Sequence, residues 1–195
     1  MAYRRLRVTS TVKQLVATEL SLPIIQELEA ALRASNDRRR AGQMQRIIWL
    51  SEYDRLPDII MGRTETLHIL REAREVFVDG HFAAALLLAI SVINHSLVDE
   101  LQLRNSIKKN DPGFEAVLKK SEELAVLPSD WFGPLRLLAA RRHPFVHFKD
   151  PKHEHALGAR VRLEQRHPAR LLQDDAEVAV MYMYRVFRAT LCEAA

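Results

Sequence analysis

The hydrophobic positions along this chain recur mostly at helical spacing. Between Arg63 and Val78, apolar residues appear every three or four positions, which predicts an amphipathic helix that ends at Asp79-Gly80. The stretch Phe82 to Leu103 is almost continuously apolar over its first half, so we expect it to form a central helix that is buried on most sides. Two helices joined by a short turn are therefore predicted between residues 63 and 103.

Three more helices are predicted in the C-terminal half. One should begin after the turn Asp111-Pro112-Gly113 and end at Pro128, because the residue before a proline is disfavoured in helical backbone. Ser129 then predicts the start of a short helix whose C-terminal end is basic. After a polar connection, the last helix is expected to begin at Asp174-Asp175, since acidic side chains are favourable near a helix N-terminus.

Residues 1–62 differ from the rest in pattern. One helix is predicted from about Leu22 to Ala34, and the polar run Ser35 to Arg40 after it is expected to be a loop. A second helix is predicted from Met44 to Tyr53. We therefore expect a helical N-terminal extension over residues 1–62 and a main domain over residues 63–195.

The composition favours an all-α fold. The chain has 195 residues, enough for one domain with an extension, and 48% of them are hydrophobic. It contains only 6 glycines, whereas folds rich in strands need more turn glycines and more β-branched residues. No internal repeat is visible. The predicted architecture is an antiparallel bundle of four or five helices with a helical N-terminal extension.

Charge and cysteine content say little about the partners and the cellular location of the protein. The net charge of +4 is compatible with an anionic partner, although 29 basic and 25 acidic residues are interspersed. The single cysteine, Cys192, cannot form an internal disulfide. We see no apolar run of the ~18 residues that a membrane span needs and no apolar signal core after the basic N-terminus. We expect a cytoplasmic protein without membrane contact.

The stretch ARRHPFVHFK, residues 140–149, carries the chemistry. Arg142 and His147 are five positions apart, so on an unbroken helix they would point ~140° away from each other. Pro144 lies between them and is expected to end or kink the helix near His143, which would let the two side chains converge. Alternatively, they converge across a two-fold axis between identical subunits.

An arginine and a histidine at one site suit RNA cleavage without a metal. A guanidinium is always charged and forks onto phosphate oxygens, and an imidazole exchanges a proton near neutral pH. His147 would deprotonate the ribose 2'-hydroxyl or protonate the leaving 5'-oxygen. Arg142 would hold the phosphate and stabilise the charge that develops in the transition state.

The same residues resemble a motif of the HEPN superfamily (higher eukaryotes and prokaryotes nucleotide-binding domain). Its pattern is an arginine, a polar residue, three to five more residues and a histidine, which here is Arg142-His143-Pro144-Phe145-Val146-His147. Residues 73–86 are similar to the first helix hairpin of the superfamily, and residues 174–179 are similar to the start of its last helix. The resemblance covers about residues 64–191.

This resemblance implies a helical bundle, a homodimer with its site between subunits, and metal-independent RNA cleavage that leaves a 2',3'-cyclic phosphate. It assigns Arg142 and His147 as catalytic and implies no cofactor. His143 stands where the family has a polar side chain and is expected to contact RNA, with Arg141 and Lys149 as further substrate-binding residues. It also implies that the protein is the toxic effector of a defence or toxin–antitoxin system, and that an inhibitory protein partner or the N-terminal extension restrains its activity.

One position departs from the family. Many relatives carry an acidic residue in the second helix near the site, and here the corresponding position holds Asn94 or His95, with Asp99 and Glu100 one turn later. The third site residue is therefore left open.

Other interpretations remain open at this stage. The chain could be a non-catalytic helical module that binds RNA or a nucleotide, or that scaffolds a larger complex. Arg142 and His147 could also be a surface arginine and a histidine at a helix terminus. A third hypothesis, a metal-dependent enzyme, would use His153 and His155, although their spacing matches no metal-site signature.

Two other sets of residues have a functional and a structural interpretation. The arginines Arg38 to Arg40, with Arg46, could contact a phosphate backbone, but such runs are usually solvated. Trp49 and Trp131 lie at helical spacing from aliphatic residues, and we expect them to pack in the core rather than to stack on bases.

Overall fold

All regular structure in the described part of the chain is helical. The computed structural model describes residues 22–54, 63–107 and 113–191, and no strand occurs in these ranges. The all-α prediction is confirmed. The α-helices in these ranges are α1 Leu22–Leu50, α2 Thr64–Val78, α3 Phe82–Leu103, α4 Phe114–Glu123, α5 Phe132–Val146, α6 Leu157–Glu164 and α7 Pro168–Ala189. A short 3-10 helix, Ser129–Trp131, precedes α5.

The described residues form two compact units that divide between Gly42 and Gln43. The second unit contains the last part of α1 and all the other helices. Arg46 of that part donates from Nε to the backbone carbonyl of Val78 at 2.8 Å, and Leu50 is buried. The predicted boundary between an extension and a main domain after residue 62 stays a prediction.

The predicted loop between two short helices near the N-terminus was wrong. The run Ser35 to Arg40 lies inside α1, which is helical from Leu22 to Leu50. The run contains neither proline nor glycine, and three of its six residues are arginines, which have high helix propensity. Polarity alone therefore does not interrupt the helix; it only leaves these side chains exposed.

Helix α3 lies at the centre of the second unit, as its apolar sequence predicted. It packs most extensively against α7 and then against α2. Its buried residues lie on several sides of the helix, which explains why its sequence shows no single apolar stripe. These residues are Ala85, Leu86, Ala89, Ile90, Val92, Ile93, Ser96, Leu97 and Leu101.

The same helix is long and apolar enough to cross a membrane, judged by length and composition alone. Its most apolar window has a mean hydropathy of 1.7, so our statement that no such run exists was wrong. Core helices of soluble proteins meet the same criterion, and α3 is a core helix here. The absence of membrane contact and the cytoplasmic location remain predictions.

Helix α7 begins earlier than predicted, at Pro168 rather than at Asp174. The His167 side chain caps the helix by accepting a hydrogen bond from the Ala169 backbone N–H at 3.2 Å. Proline suits the first helical position, because its missing N–H would have no partner there and its φ is already helical. Asp174 and Asp175 consequently lie one to two turns inside the helix.

Two other bounds differ from the prediction. Helix α4 ends at Glu123, before Pro128, and Ala125 just beyond it has a positive φ of 48°. Helix α6, Leu157–Glu164, lies in the polar connection for which no helix was predicted. Its only fully buried residue is Arg160, so an apolar pattern could not have revealed it.

Asp175 joins three of the helices through buried ion pairs. Its carboxylate has no solvent exposure and accepts hydrogen bonds from Arg141 Nη1 at 2.5 Å and from Arg160 Nη1 and Nη2 at 2.5 and 3.1 Å. Arg141 belongs to α5 and Arg160 to α6. A buried charge is tolerated only where such partners replace the lost water. This cluster therefore fixes the end of α5 and all of α6 against α7.

Replacing Asp175 by alanine is expected to lower the free energy of unfolding by roughly 3–5 kcal/mol, because the buried guanidinium of Arg160 and the part-buried one of Arg141 lose their carboxylate. Urea denaturation followed by circular dichroism measures the change. The matched control is Asp174→Ala, since Asp174 is about half exposed and its one ion-pair partner within the described ranges is Arg166, whose Nη2 lies 2.5 Å away. Its expected cost is below about 1 kcal/mol, and equal losses in the two variants would contradict this account.

Candidate functional site

The end of α5 presents the predicted site residues. The helix continues to Val146 with Pro144 in its last turn, so it does not end at His143, and the alternative of a kink there stays a prediction. The missing proline N–H removes one helical hydrogen bond, but the turn still closes where the His147 backbone N–H donates to the His143 carbonyl at 3.0 Å. His147 itself has extended backbone, with φ −128° and ψ 137°. Because His147 is not helical, its side chain need not point ~140° away from that of Arg142, as it would on an unbroken helix.

Arg142 and His147 line the same cavity, which we call the main cavity and which has a volume of about 790 Å³. Three segments form it: the start of α4, the last turns of α5 and the connection from His147 to His155. The lining residues are Gly113, Phe114, Glu115, Ala116, Ala139, Ala140, Arg142, His143, His147, Lys149, His153, Glu154 and His155.

Four of the five predicted site residues belong to this lining, and one does not. Arg142, His143, His147 and Lys149 all face the main cavity. Arg141 is instead paired with the buried Asp175. The roles assigned to all five residues remain predictions, but the observed ion pair gives Arg141 a structural task.

The main cavity has a surplus of groups that are positive or can become positive. Arg142, Lys149 and four histidines face two carboxylates, Glu115 and Glu154. The imidazole rings of His143 and His147 lie 4.6 Å apart between centroids. An anion would be attracted to such a concave surface.

The pKa of His143 reports this positive surrounding. Partial removal of water from the ring lowers the pKa below the ordinary 6.5, and the positive charges of Lys149, His147, His153 and Arg142 lower it further. The neutral imidazole is thus favoured, and it can accept a proton or a hydrogen bond near neutral pH.

A second, smaller cavity of about 230 Å³ adjoins the main one, and we call it the inner cavity. Helix α3 supplies one wall, and three residues of the main cavity supply the other. Its lining residues are Ile90, Ser91, Asn94, His95, Gly113, Phe114 and Arg142. Both residues considered for the third site position, Asn94 and His95, therefore lie at one cavity with Arg142.

Two of the residues that line the inner cavity each have a polar atom without a partner in the described structure. Asn94 Oδ1 and Arg142 Nε are both buried and make no hydrogen bond with any described residue. The neighbouring His95 has Nδ1 at 3.4 Å from the Thr66 hydroxyl. Sequence reasoning missed the wall formed by Gly113 and Phe114, because only the tertiary fold brings the start of α4 next to α3 and α5.

The other candidate residues are engaged in the fold or lie exposed. The Arg46 guanidinium lies 5.6 Å from the centre of the Phe82 ring, besides its bond to Val78. The ring of Trp49 lies 5.2 Å from that of Phe77, and Trp131 lies 5.9 Å from Tyr182. Both tryptophans thus pack against other aromatic rings, as expected.

The histidines of the polar connection form no recognisable metal site. The His153 and His155 rings are 5.8 Å apart between centroids, and the His155 backbone N–H donates to His153 Nδ1 at 3.3 Å. In the described ranges, no three or more His, Cys, Asp and Glu side chains are grouped closely enough to hold a metal ion. Cys192 lies outside those ranges.

Comparisons with known proteins give no match for this chain. No protein-family model matches it, and no curated protein or solved structure is significantly similar to it. The likeness to the HEPN superfamily is carried by the quoted residues alone.

Lys149→Gln is expected to raise the pKa of His143 toward 6.5, because it removes the largest of the charge contributions that depress it. An NMR titration of the ring Cε1–H signal measures this. Lys152→Gln is the control, since Lys152 is exposed and does not contribute to the shift. No change in Lys149→Gln would refute the assignment of the charge effect.

The depressed pKa also fixes the sign of a pH effect on stability. The unfolded chain binds more protons than the folded chain at pH values between the lowered pKa and 6.5. The His143 contribution to the free energy of unfolding therefore falls as the pH decreases through this interval, and it is fully retained above 6.5.

Proposed function

We propose that this protein is a metal-independent endoribonuclease of the HEPN type. The observation that supports this most strongly is that Arg142 and His147 line one concave cavity within a single subunit, beside further cationic groups. Convergence of these two side chains was the condition on which RNA chemistry depended.

Phosphate binding is the first part of the proposed mechanism. Arg142 presents a guanidinium that can donate two parallel hydrogen bonds to the non-bridging oxygens of a phosphodiester. Lys149 lines the same cavity and extends the positive surface along the strand, and the neutral His143 ring beside it can donate a hydrogen bond. The charge that gathers on the phosphate oxygens in the transition state is stabilised by these fixed donors.

Proton transfer is the second part. The 2'-hydroxyl proton moves to the neutral imidazole of His147, the 2'-oxygen bonds to phosphorus, and the bond between phosphorus and the 5'-oxygen breaks. The leaving oxygen takes a proton from water, and the resulting hydroxide is neutralised by the proton held on His147. The products are a 2',3'-cyclic phosphate and a free 5'-hydroxyl. In the reverse assignment His147 acts as the acid and gives a proton to the leaving 5'-oxygen.

We also propose that two copies of the chain form the working enzyme. Large apolar side chains are exposed beside the main cavity: Phe148 is 97% exposed, and Val146 and Phe145 are 45% and 36% exposed. An apolar patch next to a polar site is typical of a surface that another chain covers. A second subunit there would close the cavity from outside. Restraint of the nuclease by a regulatory protein or by the N-terminal extension belongs to the same proposal.

Arg142→Ala and His147→Ala are each expected to reduce cleavage of total RNA in EDTA by roughly 100- to 10,000-fold, because each removes a group that acts on the reacting phosphate. Gel analysis of purified protein with tRNA and mRNA measures the rates. Identification of cyclic-phosphate ends tests the reaction type.

The matched controls for these variants are Arg170→Ala and His68→Ala, whose side chains are exposed and lie outside both cavities. They should cleave RNA at the wild-type rate. Wild-type protein that binds RNA but never cleaves it would replace the enzyme by a binding module. Activity that disappears with EDTA would instead indicate a metal-dependent reaction.

Phe148→Asp is expected to convert the dimer into a monomer and to reduce cleavage, because a charge replaces the most exposed apolar side chain of the patch. Light scattering measures the mass. Leu163→Asp is the control, since Leu163 of α6 is similarly exposed, at 84%, and lines neither cavity. A wild-type chain that is monomeric at all concentrations would end the dimer proposal.

A further inference from the structure

Asn94 and Arg142 both line the inner cavity, and each has one buried polar atom that the fold leaves without a partner among the described residues. Asn94 Oδ1 and Arg142 Nε are buried, and neither bonds to a described residue. Buried polar groups without partners are rare in native proteins, because burial removes their water without replacing it. A small turn of either side chain would bring its unpartnered atom to the cavity, where a ligand with a complementary donor and acceptor could bond to both.

The walls of the inner cavity suit a flat, uncharged ring. Phe114 and Ile90 provide apolar surface, and Phe114 is half-buried between the two cavities. Bases of single-stranded RNA stack on aromatic side chains and bond through their edges to polar groups beside them. A volume of about 230 Å³ accommodates a base but not a whole nucleotide together with its phosphate.

We propose that the inner cavity binds one base of the RNA strand, and that this base is adenine. An asparagine amide pairs with adenine through two hydrogen bonds: its oxygen accepts from the amino group and its nitrogen donates to a ring nitrogen. In this arrangement Asn94 Oδ1 gains the donor that it lacks. Arg142 Nε can donate to another nitrogen of the base or to the adjoining ribose.

The border between the two cavities joins this proposal to the chemistry. Both cavities are lined by Arg142, Gly113 and Phe114. One RNA strand could therefore place a phosphate in the main cavity and the base of an adjacent nucleotide in the inner cavity. The inference rests on the proposed ribonuclease function, to which it adds base selectivity. Asn94 would then be a specificity-determining residue and not a catalytic one.

The decisive variant is Asn94→Leu, which removes the amide while nearly keeping its volume. It also removes a buried acceptor that has no partner, so thermal stability should be unchanged or higher. The substrates are DNA strands with a single ribonucleotide, in which the base on either side of the cleavable bond is varied. We expect the wild type to cleave beside adenine roughly 10- to 100-fold faster than beside other bases. Asn94→Leu should lose this preference while it still cleaves.

Asn36→Leu is the control for the substitution itself, because Asn36 is exposed on α1. It should keep the wild-type preference. Equal base profiles in the wild type and Asn94→Leu would overturn the adenine site and leave the ribonuclease proposal standing.

A second arm separates failure of the site from failure of the enzyme. If the wild type cleaves nothing, equilibrium binding of the same strands to the unmodified full chain decides. Tighter binding of adenine strands that is lost in Asn94→Leu supports the site without the nuclease, whereas equal or absent binding overturns both. Adenosine monophosphate is the last probe: if it binds as tightly as the strands and depends on Asn94, the adenine comes from a free nucleotide rather than from RNA.

Discussion

The Asp175 carboxylate is fully buried, and its hydrogen-bond partners are the guanidinium groups of Arg141 and Arg160. A charge in this position is tolerated only because three helices meet around it. Arg141 directly precedes Arg142, so the ion pair holds the turn of α5 from which Arg142 reaches both cavities. Two neighbouring arginines therefore have different roles: Arg141 holds α5 through its ion pair with Asp175, and Arg142 lines the cavities.

Helices with a clear apolar pattern could be predicted from the sequence. Helix α2 forms where the apolar spacing indicated and α3 where the nearly continuous apolar run indicated, because burial of their apolar side chains determines where they lie. The errors arose where polar residues decide the structure. The run Ser35 to Arg40 stays helical through propensity without any burial, and α6 is fixed by the buried charge of Arg160. Neither signal is an apolar pattern.

The candidate site could be predicted only as far as its residues lie close together along the chain. The basic stretch from Arg142 to Lys149 was found because an arginine and a histidine lie only five positions apart with a proline between them. Nothing local distinguishes Arg141 from Arg142, since the difference lies in a carboxylate 34 residues away. The wall formed by Phe114 was missed for the same reason: its proximity to α3 and α5 is a property of the tertiary fold. The catalytic and binding roles of these residues remain proposals.

The main cavity and the inner cavity differ in what holds their walls. Asn94 belongs to α3, where Ile93, Ser96 and Leu97 around it are buried in the core, so this wall cannot shift without repacking the second unit. His147 to His155 follow the end of α5 and have little regular structure, and such segments rearrange at low cost. A bound strand would thus contact a rigid wall in the inner cavity and an adaptable segment in the main cavity. The rigid wall would then determine which ligand binds, and the adaptable segment would determine how tightly it binds.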